Sequence, residues 1–148
     1  MNRLGDKDFS VRFSQGKKKE QKFYDIMTNK YGLHLKSENV QNRRNLDYVR
    51  NHTPDFYCPE KQVFFEVKST YDIRTDLFDH SQKWMEQYGP KESVLYYVIM
   101  IASNPVIEFY GLCDLQHYKT QYDQGKWQDG NKFYHIDKTI TPYKQLAK

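Results

Sequence analysis

Apolar residues recur at helical spacing in three stretches of the chain. In the first, Phe23, Ile26 and Met27 follow the i, i+3, i+4 pattern of a helix with one buried side. Gly32 comes soon afterwards, at a position where glycine commonly ends a helix. The other two stretches repeat this spacing. We therefore predict helices over residues 17–30, 76–88 and 112–122.

Runs typical of β-strands lie between and after these helices. The longest, residues 94–102, is continuously apolar and rich in β-branched and aromatic residues, which predicts a strand buried on both faces. Asp129-Gly130 is a typical hairpin turn between residues 126–128 and 132–136. The remaining strands are predicted over residues 33–40, 53–58, 63–69 and 106–110. This order predicts an α/β or α+β fold, a mixed sheet flanked by helices.

Composition limits the class of protein. The chain has 148 residues, of which 16% are aromatic, so it is suited to one folded domain rather than to disorder. No apolar run approaches the ~20 residues needed to cross a bilayer, and the first six residues contain no apolar segment of a secretory signal. The two cysteines are too few for a disulfide framework and favour a reducing cytoplasm.

Charge is distributed unevenly along the chain. Residues 1–53 contain 12 Lys and Arg against 6 Asp and Glu, whereas residues 54–148 contain 11 against 13. A basic front half beside a slightly acidic rear half favours a polyanion that binds on one side of the molecule.

The predicted hairpin of residues 53–69 carries candidate chemistry. Alternation along its second strand puts Glu66 and Lys68 on one face and apolar side chains on the other. The first strand brings Asp55 opposite Glu66. Two adjacent carboxylates require a compensating charge, and Mg²⁺ accepts one or two carboxylates together with waters and phosphate oxygens. The pattern therefore indicates a divalent metal site for phosphodiester chemistry.

These residues resemble a known motif. Pro54-Asp55, a gap of ten residues and then Glu66-Val67-Lys68 resemble the signature of the PD-(D/E)XK nuclease superfamily, and Gly16 to Glu20 is similar to its Gly-x-x-x-Glu segment. The resemblance implies a restriction-endonuclease-like αβββαβ core over about residues 17–110. Residues 111–148 then form a C-terminal helix and hairpin appendage to a single domain over residues 1–148.

The resemblance also implies an activity and a site. The activity is Mg²⁺-dependent hydrolysis of DNA by a metal-activated water, with Mn²⁺ as a substitute and no small-molecule cofactor. Asp55 and Glu66 would hold the metal, the Val67 carbonyl would be a third ligand, and Glu20 would complete the site. Lys68 would orient the attacking water. The catalytic set is thus Glu20, Asp55, Glu66 and Lys68.

Candidate nucleic-acid contacts surround this set. Three lysines begin the first predicted helix. Positive charge is unfavourable at the start of a helix, and a bound phosphate would offset this unfavourable interaction. A basic loop precedes the Asp55 strand, and a glutamine in the following helix matches one used by several branches of the superfamily. The predicted contacts are Lys17, Lys18, Lys19, Arg43, Arg44, Arg50, Gln82 and Lys83.

Several alternatives remain open from the sequence. A non-cutting nucleic-acid-binding module on the same fold and an RNA-cleaving nuclease are both compatible with the motif, although a complete Asp, Glu, Lys set favours catalysis. The resemblance extends to small phage and archaeal endonucleases, either junction-resolvase-like or homing-endonuclease-like. We expect a homodimer, no membrane association, and a cytoplasmic location in a prokaryotic or phage-infected cell.

Overall fold

The computed structural model describes residues 18–37, 54–118, 123–126, 130, 132–137 and 140–148. These residues form an α+β fold, as predicted. Its helices are α1 (residues 18–25, continuing as a π-helical turn over Ile26–Lys30), α2 (Thr75–Tyr88) and α3 (Leu112–Tyr118). Its strands are β1 (Lys36–Ser37), β2 (Phe56–Cys58), β3 (Val63–Lys68), β4 (Asp72–Arg74), β5 (Val94–Ile99), β6 (Val106–Gly111), β7 (Asp123–Lys126), β8 (Lys132–His135) and β9 (Lys144–Ala147). None of the helices in these ranges is long and apolar enough to cross a membrane.

Within the described residues, six strands form one mixed sheet in the order β1-β2-β3-β5-β6-β9. Strands β3 and β5 are parallel, and the other neighbours are antiparallel. Helix α2 lies in the connection between the two parallel strands, as such a connection requires. The order α1, β1, β2, β3, α2, β5 is therefore the αβββαβ order expected from the sequence. Strands β4, β8 and β7 form a second, antiparallel sheet.

The main sheet has a hydrophobic core on each face because alternate positions of its strands point in opposite directions. One core joins Phe78 and Trp84 of α2 and residues of α3 to Phe64, Tyr97 and Ile99 of the sheet. The other joins α1 to Phe56, Phe65, Val67, Val98, Ile107 and Phe109. The central strand β5 is thus buried on both faces, as its continuous apolar run predicted.

Helix α1 uses the predicted apolar stripe. Phe23 is fully buried, and its ring lies 5.8 Å from Phe56, 5.4 Å from Phe65 and 6.3 Å from Phe109. Gly32 ends the helical segment with a φ of 68°, a conformation that glycine adopts at little cost. The Leu33 amide then donates a hydrogen bond to the Met27 carbonyl at 2.9 Å.

The structure shortens four predicted strands and adds two that the sequence did not indicate. The shortened ones were predicted over residues 33–40, 53–58, 63–69 and 94–102, and the last of these ends at Ile99. Residues 33–35 are not in a strand because the chain is still closing the helix end there, and the described strand is Lys36–Ser37. Asp55 precedes β2 instead of lying within it. The unpredicted strands are β4 and β9, which have three and four residues. Strand β9 pairs with β6 at the edge of the main sheet.

Because Phe23 joins α1 to three strands, Phe23→Ala should lower the free energy of unfolding by about 3–5 kcal/mol. Urea unfolding followed by circular dichroism measures this loss. Val94→Ala is the control, since Val94 is 42% exposed, and its cost should stay below about 1 kcal/mol. Equal costs for the two variants would contradict the packing described here.

Candidate active site at the ends of two strands

Asp55 is a buried carboxylate at the point where the chain enters β2. It is 3% exposed, and its Oδ2 accepts a buried hydrogen bond of 2.9 Å from the Val67 amide. Phe56 pairs with Phe65, so continuing this register puts Asp55 opposite Glu66. The side chain takes up a backbone donor of β3 just beyond the ladder, and this bond fixes the carboxylate beside the neighbouring strand.

Glu66 lies against Asp55 in a poorly solvated position. Burial raises the pKa of Glu66 well above its usual range, and the charge of Asp55 and a hydrogen bond to Asp55 raise it further. Lys68 acts in the opposite direction, and Glu20 adds a smaller upward effect on this pKa. Glu66 therefore favours its protonated form more than an exposed glutamate does.

Tyr97 lies beside Glu66 on the neighbouring strand, and the sequence did not indicate this placement. The two residues are register partners of the parallel strands β3 and β5. The Tyr97 hydroxyl donates to Ser81 Oγ at 2.8 Å, and Ser81 Oγ donates to the Leu77 carbonyl at 3.0 Å. Burial raises the pKa of Tyr97, with contributions from the charges of Glu66 and Asp79. The face of β3 that carries Glu66 therefore also carries residues of a hydrophobic core, and it is not a fully solvent-exposed face.

The segment that follows Lys68 is held at both its ends. The Lys68 carbonyl accepts a 2.8 Å hydrogen bond from the Met100 amide, and the Tyr71 carbonyl accepts one of 2.9 Å from Ile136. The Tyr71 hydroxyl donates to the buried carboxylate of Glu108. Burial and this bond raise the pKa of Tyr71 to about 12. These contacts fix the backbone from which the Lys68 side chain projects.

The first turn of α1 adds two charged residues. Lys19 and Glu20 are both half-buried, whereas Lys18 and Gln21 on either side of them are exposed. Burial lowers the pKa of Lys19, and the positive charge of Lys68 lowers it further, while Asp55, Glu20 and Glu66 act in the opposite direction. Helix α1 therefore brings a lysine and a glutamate into electrostatic contact with the strand residues.

The donor set fits a hard divalent cation. Asp55 and Glu66 are adjacent carboxyl groups, and the pKa of Glu66 is raised first by burial and then by the negative charge of Asp55. Across the described ranges, no three His, Cys, Asp or Glu side chains form a metal site by themselves. Two carboxylates are nevertheless sufficient for Mg²⁺ when waters and phosphate oxygens complete its shell. Direct ligation by Glu20 stays a prediction.

The predicted nucleic-acid contacts divide into three groups. Lys19 lies beside the site, and Lys18 is exposed at the start of α1. On α2, Gln82 donates to Glu86 at 3.3 Å, and Lys83 is exposed. Their contact with nucleic acid stays a prediction. The others lie outside the described residues: Lys17, Arg43, Arg44 and Arg50.

The raised pKa of Glu66 predicts how stability changes with pH in EDTA buffer. The folded protein holds a proton that the unfolded chain releases, so this contribution is complete at acidic pH and is lost as pH rises through the raised pKa. Glu66→Gln removes the ionisable group. Its melting temperature should exceed that of the unmodified protein at about pH 8, and the difference should shrink towards about pH 4.

Glu92→Gln is the matched control because Glu92 is exposed in a turn. Thermal melts of the three proteins across this pH range provide the measurement. A Glu66→Gln melting temperature that runs parallel to the Glu92→Gln control at every pH would contradict the described environment of Glu66.

Comparison with known proteins assigns no family to this arrangement. No protein-family model matches the chain, and no curated protein does either. A functional assignment therefore depends on the chemistry of Asp55, Glu66, Lys68 and their neighbours.

Proposed function

We propose that this protein is a metal-dependent endonuclease that hydrolyses DNA phosphodiester bonds. The observation that carries the proposal is the pairing of the buried Asp55 with the half-buried Glu66. The Asp55–Val67 hydrogen bond holds Asp55 beside β3, and Lys68 lies on that same strand. A buried carboxyl pair is costly unless positive charge compensates it. Such a pair is therefore more readily explained by a function than by stability.

Asp55, Glu66 and the Val67 carbonyl are the groups that would hold the cation. When it is bound, a divalent cation supplies positive charge to a phosphodiester and promotes deprotonation of water. Asp55 has little freedom to move because its Oδ2 accepts from Val67. Glu66 lies beside the buried Tyr97 on the same face of the sheet, next to a hydrophobic core. The chain thus presents two pre-oriented carboxylates, which reduces the cost of organising the site during reaction.

Lys68 supplies an ammonium group on the same face of β3 as Glu66. In the proposed reaction it orients the attacking water by hydrogen bonding and stabilises negative charge on the phosphate oxygens. The chain on both sides of this residue is anchored, by the β3 ladder before it and by Tyr71 after it. The position of the ammonium therefore depends on its own rotamers and not on a mobile backbone.

A nucleic acid is the class of substrate that the charge distribution favours, and we propose DNA. The front half of the chain is basic, and Lys19 of helix α1 lies next to the site. RNA cleavage uses the same chemistry at phosphorus, so it is an outcome that the substrate assay must distinguish. A homodimer, which would present two sites to two strands, and a cytoplasmic location stay predictions.

The first experiment is incubation with Mg²⁺ and a panel of supercoiled plasmid, linear duplex, single-stranded DNA, a four-way junction and RNA. Cleavage of a DNA substrate supports the proposal. Binding of DNA without cleavage of any substrate would favour the non-cutting alternative. Cleavage of RNA alone would show that RNA, and not DNA, is the substrate.

Three substitutions test the residue assignments. Asp55→Asn, Glu66→Gln and Lys68→Ala should each lower the cleavage rate by about 100-fold or more, since each removes a charged group that acts in the transition state. Asn at position 55 retains an oxygen that can accept from the Val67 amide, so the fold should persist. Initial rates at saturating DNA, together with circular dichroism spectra, measure both effects.

Glu92→Gln and Lys61→Ala are controls for charge removal, because both residues are exposed in turns. Lys61 lies in the turn that joins β2 to β3, at the end of this hairpin opposite to Asp55 and Lys68. Both controls should cleave at the unmodified rate. Unreduced cleavage by a folded Asp55→Asn or Lys68→Ala protein would remove that residue from the site.

Metal dependence follows from the donor set. Cleavage should require Mg²⁺ or Mn²⁺ and stop in excess EDTA. Ca²⁺, with its larger and looser oxygen shell, should support DNA binding without cleavage. Titration of each cation at fixed DNA, with binding measured in parallel by fluorescence anisotropy, separates the two effects. Full cleavage in EDTA would be incompatible with this function.

A further inference from the structure

Lys19 occupies an unusual place on α1. It precedes the fully buried Phe23 by one helical turn, so it continues the buried stripe of Phe23 and Met27 towards the start of the helix. Phe23 packs on Phe56 and Phe65, which are the chain neighbours of Asp55 and Glu66. The stripe therefore leads from the core to the carboxyl pair.

Lys19 also lies within electrostatic range of the charged groups of the site. It interacts with the strand residues Asp55, Glu66 and Lys68, and with Glu20 on its own helix. Lys22, one turn further along α1, is exposed. Burial thus separates Lys19 from the other lysines of the helix, and its ammonium belongs to the site instead of the general basic surface.

A count of formal charges shows what this ammonium adds. Among the described residues, the site brings together three carboxyl groups and two lysines, so its net charge with all groups ionised is −1. A divalent cation makes this +1, which matches the single negative charge of a phosphodiester. Without Lys19 the loaded site would be neutral and would attract the phosphate less strongly.

We propose that Lys19 is a second lysine of the active site and contacts a non-bridging oxygen of the scissile phosphate. This inference rests on the proposed nuclease function. Lys68 comes from β3 and Lys19 from the helix on the opposite face of the sheet, so the phosphate would be held between ammonium groups from two elements. Such a contact forms a charge-assisted hydrogen bond to the reacting group itself.

The test compares Lys19→Met with Lys22→Met in single-turnover cleavage at saturating DNA with Mg²⁺. Methionine keeps an unbranched apolar stem and removes the charge. Lys19→Met should lower the plateau rate by about 10- to 100-fold, the loss expected for one hydrogen bond to a charged group. Lys19→Arg should recover part of that loss. Lys22→Met should keep the plateau rate of the unmodified protein.

A different result is expected if Lys19 only compensates the carboxylates. Lys19→Met would then melt at a lower temperature in EDTA and need less Mg²⁺ for half-maximal cleavage, while its plateau rate stayed unchanged. That outcome would overturn the inference. So would equal plateau rates for Lys19→Met and Lys22→Met.

Binding supplies a readout that does not depend on cleavage. After the cleaved phosphate has been mapped with the unmodified protein, a duplex with a neutral methylphosphonate at that position is bound in Ca²⁺. The substitution should weaken binding of the unmodified protein and of Lys22→Met by the same factor. For Lys19→Met, the factor by which the methylphosphonate weakens binding should be about 10-fold smaller. The reason is that this variant already lacks the contact between Lys19 and the phosphate.

If the methylphosphonate weakens DNA binding by the same factor in all three proteins, Lys19 does not contact that phosphate. If the unmodified protein cleaves no substrate of the panel, the proposed function itself fails. Cleavage that depends on Asp55 and Glu66 but not on Lys19 refutes only this inference.

Discussion

The hydrogen bond from the Val67 amide to Asp55 Oδ2 is the constraint on which the site depends. The bond is 2.9 Å long and buried. Its donor is a backbone amide of β3 that lies just beyond the last residue pair of β2 and β3. Removing the acceptor would leave a buried amide unpaired, at a cost of about 1–3 kcal/mol. The same bond sets Asp55 beside Glu66. A single interaction therefore pairs the buried Val67 amide and arranges the two carboxyl groups.

A second constraint is that both faces of the main sheet are occupied. Helix α1 covers one face, and α2 and α3 cover the other. A cluster of several charged groups therefore requires a place where strands end, because within the two cores each charged group would replace an apolar side chain. The ends of β2 and β3 satisfy this condition, and residues from opposite faces meet there: Lys19 and Glu20 from α1, and Glu66 and Lys68 from the other side of β3.

The sequence predicts the parts of this arrangement that local periodicity controls. The alternation in β3 correctly predicted that Glu66 and Lys68 share one face of the strand. The apolar stripe of α1 correctly predicted that Phe23 is buried. Each pattern depends on a single element and on which of its sides is buried. Tyr97 could not be found in this way, because its place beside Glu66 depends on the parallel register of β3 and β5. Strand β9 was missed for a related reason. It is an edge strand with Leu146 as its half-buried apolar residue, so its pairing leaves almost no hydrophobic pattern.

The pairing of β9 also has a consequence for how the protein is made. The Tyr31 hydroxyl donates to the Ala147 carbonyl at 2.9 Å, and Lys30 Nζ donates to it at 3.3 Å, so the end of the first helical segment contacts residues synthesised more than a hundred positions later. Contacts between such distant segments slow folding because the intervening chain must be ordered first. Until β5 and β6 are in place, the stripe around Phe23 is apolar surface without its full set of neighbours. The nascent chain therefore exposes this apolar stripe until β5 and β6 have been synthesised, and exposed apolar surface of this kind favours aggregation.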